Sequence, residues 1–61
     1  MVGPDLLTPR EAEVTELLQH GRSNAEIAEM LNISIETVRT HARRIYRKLG
    51  VRTRRDLRAR R

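Results

Sequence analysis

The stretch SIETVRTHARRIYRKLG, residues 34–50, decides the fold. Val38, Ala42, Ile45 and Leu49 recur at i, i+4, i+7 and i+11, the period of a helix. At 100° per residue, with Val38 at zero, the other three fall at about 40°, 340° and 20°, one narrow stripe that has to face a core. Arg39 falls at about 100°, Arg43 at about 140°, Arg47 at about 180°, Thr40 at about 200° and Arg44 at about 240°. The opposite face is four arginines and one small polar residue, with no acid among them. Ser34 is placed to cap this helix, Ile33 and Val38 have the spacing of a hydrophobic staple, and Gly50 ends the run.

Residues 35–48 make a rod roughly 21 Å long, and a helix fits the ~12 Å major groove of B-DNA. Arginine suits that groove because its planar fork donates two hydrogen bonds to guanine O6 and N7, or neutralises a phosphate. A short side chain such as Thr40 lets the helix approach closely and can touch a thymine methyl. The plain competing reading is a solvated cationic face, which needs no ligand.

Upstream, the chain shows two more helix starts. Thr8-Pro9-Arg10-Glu11 has a capping threonine, proline at the first helical position and glutamate at the third, a capping box. The helix it opens puts Val14, Leu17 and Leu18 on one stripe and ends near His20-Gly21. Ser23-Asn24-Ala25-Glu26 is a second capping box, opening a short helix with Ile27, Ala28 and Leu31 inward. Asn32 and Ser34 interrupt that helix within two turns. Downstream, Thr53-Arg54-Arg55-Asp56 starts a truncated fourth helix whose one large apolar residue is Leu57. No alternating β-branched run and no hairpin turn is present, so the expected class is all-α, a four-helix domain over residues 1–61.

Composition narrows the function. The chain has 61 residues, no Cys, Trp or Phe, and a net charge of +5. A chain this short buries only about 60% of its unfolded surface and cannot wall off a drug-sized pocket. Without cysteine there is no disulfide scaffold, thiolate zinc site or thiol nucleophile, and His20 and His41 are too few and too far apart for a metal site. No catalytic, metal or cofactor residues are therefore expected, nor a small-molecule substrate. No apolar run approaches the ~20 residues of a membrane span, and the start lacks a signal-peptide core. The expected protein is soluble and intracellular. The charge is divided: residues 1–34 carry two arginines against six acids, −4, and residues 35–61 carry eleven basic residues against two acids, +9. Such a division suits one surface for a polyanion and another that is neutral or acidic.

A short helix, a turn of about four residues and a longer basic helix make a helix-turn-helix, here about residues 24–43. The first helix of such a pair crosses the DNA backbone, so Ser23 and Asn24 at its N-terminus are placed to hold a phosphate. Simple capping explains them as well.

Taken together, Leu7-Thr8-Pro9-Arg10-Glu11, Ser23-Asn24-Ala25-Glu26-Ile27-Ala28, Thr37-Val38-Arg39-Thr40-His41 and Lys48-Leu49-Gly50-Val51 strongly resemble the LuxR/FixJ-type (GerE-like) helix-turn-helix. This is the DNA-binding effector domain of bacterial response regulators and quorum-sensing activators. The likeness covers residues 6 to about 58, in the right order and spacing. It implies a cytoplasmic, nucleoid-associated transcription regulator that binds double-stranded DNA as a homodimer on two half-sites. By position, Arg39, Thr40 and Arg43 match base-reading places, and Ser23, Asn24, Thr37, Arg44, Arg47 and Lys48 match phosphate contacts. His41 matches a histidine typical of the family, placed for packing or a phosphate contact rather than for catalysis.

In that family the fourth helix commonly forms the dimer contact, which makes Leu57 a candidate for it, though Leu57 can equally cover the core. Two departures stand out. Ala42 is smaller than usual, which would loosen packing under the third helix, and the fourth helix stops early. With no receiver or ligand-sensing domain present, the chain is either a stand-alone regulator or a domain cut from a longer one. Met1-Val2-Gly3-Pro4 is either a native start or a cloning remnant.

Three rival readings stay open. A sigma-factor region-4-like domain shares the capped helix and the motif, although His41 and the Lys48-Leu49-Gly50-Val51-Arg52-Thr53 tail favour the LuxR type. An RNA-binding module would want more aromatics than Tyr46. A protein-interaction module with a basic face is the rival of a different class, because the acidic first helix could meet a partner such as RNA polymerase.

Overall fold

The structure is a computed structural model that describes residues 7–60. Residues 1–4, and the ends of the single domain expected over 1–61, lie outside the described residues. Four helices follow one another: α1 (Pro9–Gln19), α2 (Asn24–Leu31), α3 (Ile35–Leu49) and α4 (Arg54–Ala59). The all-α class and the short fourth helix are as the sequence implies, and no strand occurs among the described residues.

The helix ends are chemical, and local. Thr8 accepts the Glu11 N–H at 3.1 Å while the Glu11 carboxylate accepts the Thr8 N–H at 3.0 Å. Ser23 and Glu26 form the same reciprocal pair at 3.1 and 2.8 Å. Each box satisfies two N–H groups that a helix start otherwise leaves unpaired. Ser34 accepts the Thr37 N–H at 3.0 Å, and Thr53 accepts the Asp56 N–H at 3.1 Å. The α3 helix ends at Gly50, where φ of 71° takes the left-handed conformation that glycine adopts without a Cβ penalty. The turn between α2 and α3 uses a non-glycine for the same purpose: Asn32, at φ 58°, belongs to the residue type that tolerates this region best.

Behind the caps sits one small core. Val14 and Leu18 of α1, Ile27 and Ala28 of α2, Val38, Ala42 and Ile45 of α3, and Leu57 of α4 are buried together. Leu17, Leu31, Tyr46 and Leu49 pack against them, half-exposed. α3 packs on both α1 and α2, and α4 packs on α1. Thr15 is buried too, its hydroxyl donating to the Glu11 carbonyl at 2.8 Å.

Of the two readings for Leu57, the structure realises the core one. Its side chain is 0% exposed within the single chain, so it has no surface to offer a second copy, and any dimer contact on α4 has to come from other residues. Gln19 Nε2 donates to the Leu57 carbonyl at 3.2 Å, fastening the short helix to α1. Leu57→Ala should cost roughly 2–4 kcal/mol, the range for emptying a leucine site in a core. Denaturant unfolding should show that loss unchanged across protein concentrations, whereas a concentration-dependent loss would restore the dimer role.

Candidate nucleic-acid interface

The α3 helix must bury one stripe and solvate the other. Val38 and Ile45 are fully buried. Arg39, Thr40, Arg43, Arg44 and Arg47 are all exposed on the same helix, so the arginine face stands free in water. The face is not free of acid, however. Glu36 lies one turn before Arg39, and its carboxylate meets the Arg39 guanidinium at 3.3 Å. A wheel begun at Val38 passes over it. Both partners are well exposed, and a pair of this kind contributes at most about 1 kcal/mol, so a better acceptor can displace it.

Thr40 donates its hydroxyl to the Glu36 carbonyl at 3.1 Å. With the hydroxyl used, its methyl is the group left to meet a neighbour. Thr37 Oγ1 and Ser34 Oγ share a hydrogen bond at 2.8 Å within the cap. Ser23 is an exposed N-cap. Accepting the Glu26 N–H through its oxygen leaves the hydroxyl hydrogen, the atom that an anion needs.

Asn24 is half-buried and lines an open cleft of about 280 Å³ together with Arg39, Ala42, Arg43 and Tyr46. The fold thus brings the start of α2 beside two arginines of α3. Ala42 remains buried, at 7% exposure. It also lines this cleft.

Lys48, one of the sequence-derived phosphate residues, also makes an ion pair within the fold. Its ammonium donates to Glu11 Oε1 at 2.7 Å, across 37 positions of sequence. The Glu11 side chain is 3% exposed and that of Lys48 33%. The lysine is therefore the counter-ion of a buried carboxylate. That hydrogen bond, then the one from the Thr8 N–H, holds the Glu11 carboxyl below its ordinary pKa of 4.5 against the opposing effect of burial. The charges of Lys48 and His41 add to the lowering. His41 is half-buried, and its Nδ1 is buried without a hydrogen-bond partner. That placement fits packing better than chemistry.

Sequence reasoning missed Arg54 altogether. From the start of α4 its guanidinium donates to the Arg22 carbonyl at 2.9 Å and to Asn24 Oδ1 at 2.5 Å. One signal was available: a cation in the first turn opposes the helix dipole, so it needs a partner elsewhere. Among the described residues no helix is long and apolar enough to cross a membrane.

Residues 5–59 match the family described as bacterial regulatory proteins, luxR family. The chain is 49% identical over 51 residues to the transcriptional regulatory protein MctR of Rhizobium johnstonii, covering 84% of this chain and 24% of that protein. It is 51% identical over 49 residues to the nitrate/nitrite response regulator protein NarP of Escherichia coli, covering 80% and 23%. It is 46% identical over 50 residues to the HTH-type transcriptional regulator MalT of Klebsiella pneumoniae, covering 82% and 6%. The chain therefore spans about a quarter or less of the length of these relatives. No solved structure gives a significant match.

The buried ion pair sets the acid limb of stability. A carboxyl whose pKa is lowered by folding stabilises the fold above its unfolded value, and the contribution is lost as pH falls through the lowered one. Unfolding followed by circular dichroism should thus show stability declining below about pH 4.5, and Glu11→Gln should flatten that decline while destabilising the protein at pH 7. An unchanged acid limb in Glu11→Gln would place its source elsewhere.

Proposed function

The chain belongs to the luxR family of bacterial regulatory proteins, and on that premise we propose that α3 enters the major groove of double-stranded DNA and reads bases with its exposed face. The coarse function follows from the family itself: DNA binding and transcription regulation, in a family of regulators rather than of enzymes. The same match decides against the sigma-factor alternative.

One observation carries the finer reading. Arg39, Arg43, Arg44 and Arg47 stand exposed on the side of α3 opposite the buried Val38–Ile45 stripe, so the helix can be approached by a polyanion without disturbing the core. Within the helix-turn-helix at about residues 24–43, Arg39, Thr40 and Arg43 read base edges. Ser23, Asn24, Thr37, Arg44, Arg47 and Lys48 hold the backbone on either side, Lys48 from its ion pair with Glu11. The Glu36–Arg39 pair gives way, freeing Arg39 to donate to guanine.

The protein acts in the cytoplasm, on the nucleoid when bound, as a dimer on two half-sites. With Leu57 buried, that dimer forms through the exposed residues of α4 or through DNA alone. RNA polymerase is a further partner in this reading. What supports it is an open groove of about 300 Å³ lined by Glu13, Glu16, Leu17, Met30 and Leu31, with Met30 54% exposed.

Selection of bound sequences from random duplex DNA gives the site and its half-site spacing, and the variants then test the reading. Arg39→Ala or Arg43→Ala should cost roughly 1–3 kcal/mol on the selected site and relax base preference, while Arg47→Ala weakens all sequences about equally. Wild-type affinity should fall by about three orders of magnitude between 50 and 200 mM salt if six or so phosphates are met. Unchanged specificity in both Arg39→Ala and Arg43→Ala would remove α3 from the bases, and a flat salt response would favour a protein-interaction module.

A further inference from the structure

Arg54 sits where a helix start disfavours a cation, half-buried, and joins two parts of the chain that are thirty residues apart. Nη1 holds the Arg22 carbonyl, just before the Ser23 cap, and Nη2 holds Asn24 Oδ1. A guanidinium has only N–H groups to give, so the Asn24 atom that faces it has to be the amide oxygen. That contact settles which way the amide is turned, and its NH2 group is left to donate. An untethered amide presents its oxygen as readily as its nitrogen, and an oxygen repels an anion. Asn24 lines the cleft shared with Arg39 and Arg43, where a fixed donor suits a phosphate.

We propose that Arg54 is a positioning residue for the DNA backbone. It locks Asn24 so that Nδ2 donates to a phosphate seated between the start of α2 and the arginines of α3, and its grip on the Arg22 carbonyl holds the Ser23 cap in register with that cleft. This rests on the reading of α3 given above. In this proposal Arg54 itself stays on the protein side, with Nη1 and Nη2 each donating to a protein oxygen.

The test is fluorescence anisotropy of the full chain on a labelled duplex carrying the selected site, at several salt concentrations. It compares wild type, Arg54→Ala, Asn24→Ala, the double variant and Asn24→Asp, each with its unfolding midpoint. Asn24→Ala should lose about tenfold in affinity, Arg54→Ala, which frees the Ser23 cap as well, at least as much, and the double variant should lose no more than Arg54→Ala alone. Asn24→Asp keeps an acceptor for Arg54 but replaces the donor with an anion, so it should bind more weakly than Asn24→Ala while unfolding no more easily.

Losses that add in the double variant, with the salt slope falling by about one for Arg54→Ala in the Asn24→Ala background, would mean that Arg54 meets DNA directly and would overturn the proposal. So would an Arg54→Ala variant that binds normally, or Asn24→Asp binding as tightly as wild type. If Arg54→Ala does not fold, Arg54→Lys, which keeps the charge but not the two-armed grip, takes its place in the same comparison. A wild-type chain with no salt-dependent duplex binding would overturn the reading of α3 and this proposal together, which separates that failure from the others.

Discussion

On the fifteen residues of α3, Val38, Ala42 and Ile45 have to be dry while Arg39, Arg43 and Arg47, about 100–180° round the helix from Val38, have to be wet. Helix geometry makes both possible at one rotation only, because a turn of the helix about its axis by one residue, 100°, would drive an arginine into the core. Burying an unpaired cation costs several kcal/mol, which exceeds what a domain this small can spare. The rotation of α3 is thus held by what must stay out as firmly as by what must go in. Every other element serves that constraint: α1 and α2 supply the dry side, and the Ser34 and Gly50 caps set where the helix begins and stops.

Among the described residues eight buried apolar side chains make a modest core, and long-range polar ties supplement it. The Glu11–Lys48 pair joins the first turn of α1 to the last turn of α3. Arg54 joins α4 to the start of α2, and Gln19 joins α1 to α4. These ties reach the ends of helices, where apolar packing is thinnest. They also change the meaning of the charge distribution. The division into an acidic first half and a basic second half counts Glu11 and Lys48 as surface charges, yet in the fold they neutralise each other under cover. With that pair set aside the division becomes −3 and +8, and Glu36 still stands among the arginines of α3.

What was legible in the sequence was whatever is decided within four residues. The capping boxes at Thr8 and Ser23, the Ser34 cap, the stop at Gly50 and the Val38 stripe all follow from local spacing, and the family resemblance rests on those same residues. What escaped was decided across thirty residues or more. Glu11 reads as a capping glutamate and is one, but nothing in its neighbourhood says that a lysine comes to it. Lys48 looks like one more cation on a basic helix. Arg54 looks like the start of a charged helix, and Asn24 like the residue after a cap. Leu57 could be placed in the core or on a partner until the packing of α4 against α1 was known. Glu36, two residues before Val38, falls at about 160° on the arginine face, so its pairing with Arg39 belongs to the local spacing.

The placement of α3 in the major groove is tested most directly by dimethyl sulfate probing of a selected duplex that contains guanine, since the reagent reports guanine N7, a major-groove atom. With the arginine face in the groove, one or more guanines in each half-site are protected in the saturated wild-type complex, and a protected position becomes reactive again with Arg39→Ala or Arg43→Ala. Guanines that stay fully reactive in a saturated, sequence-specific complex would contradict it, and would put the bases in contact with some other surface of the protein.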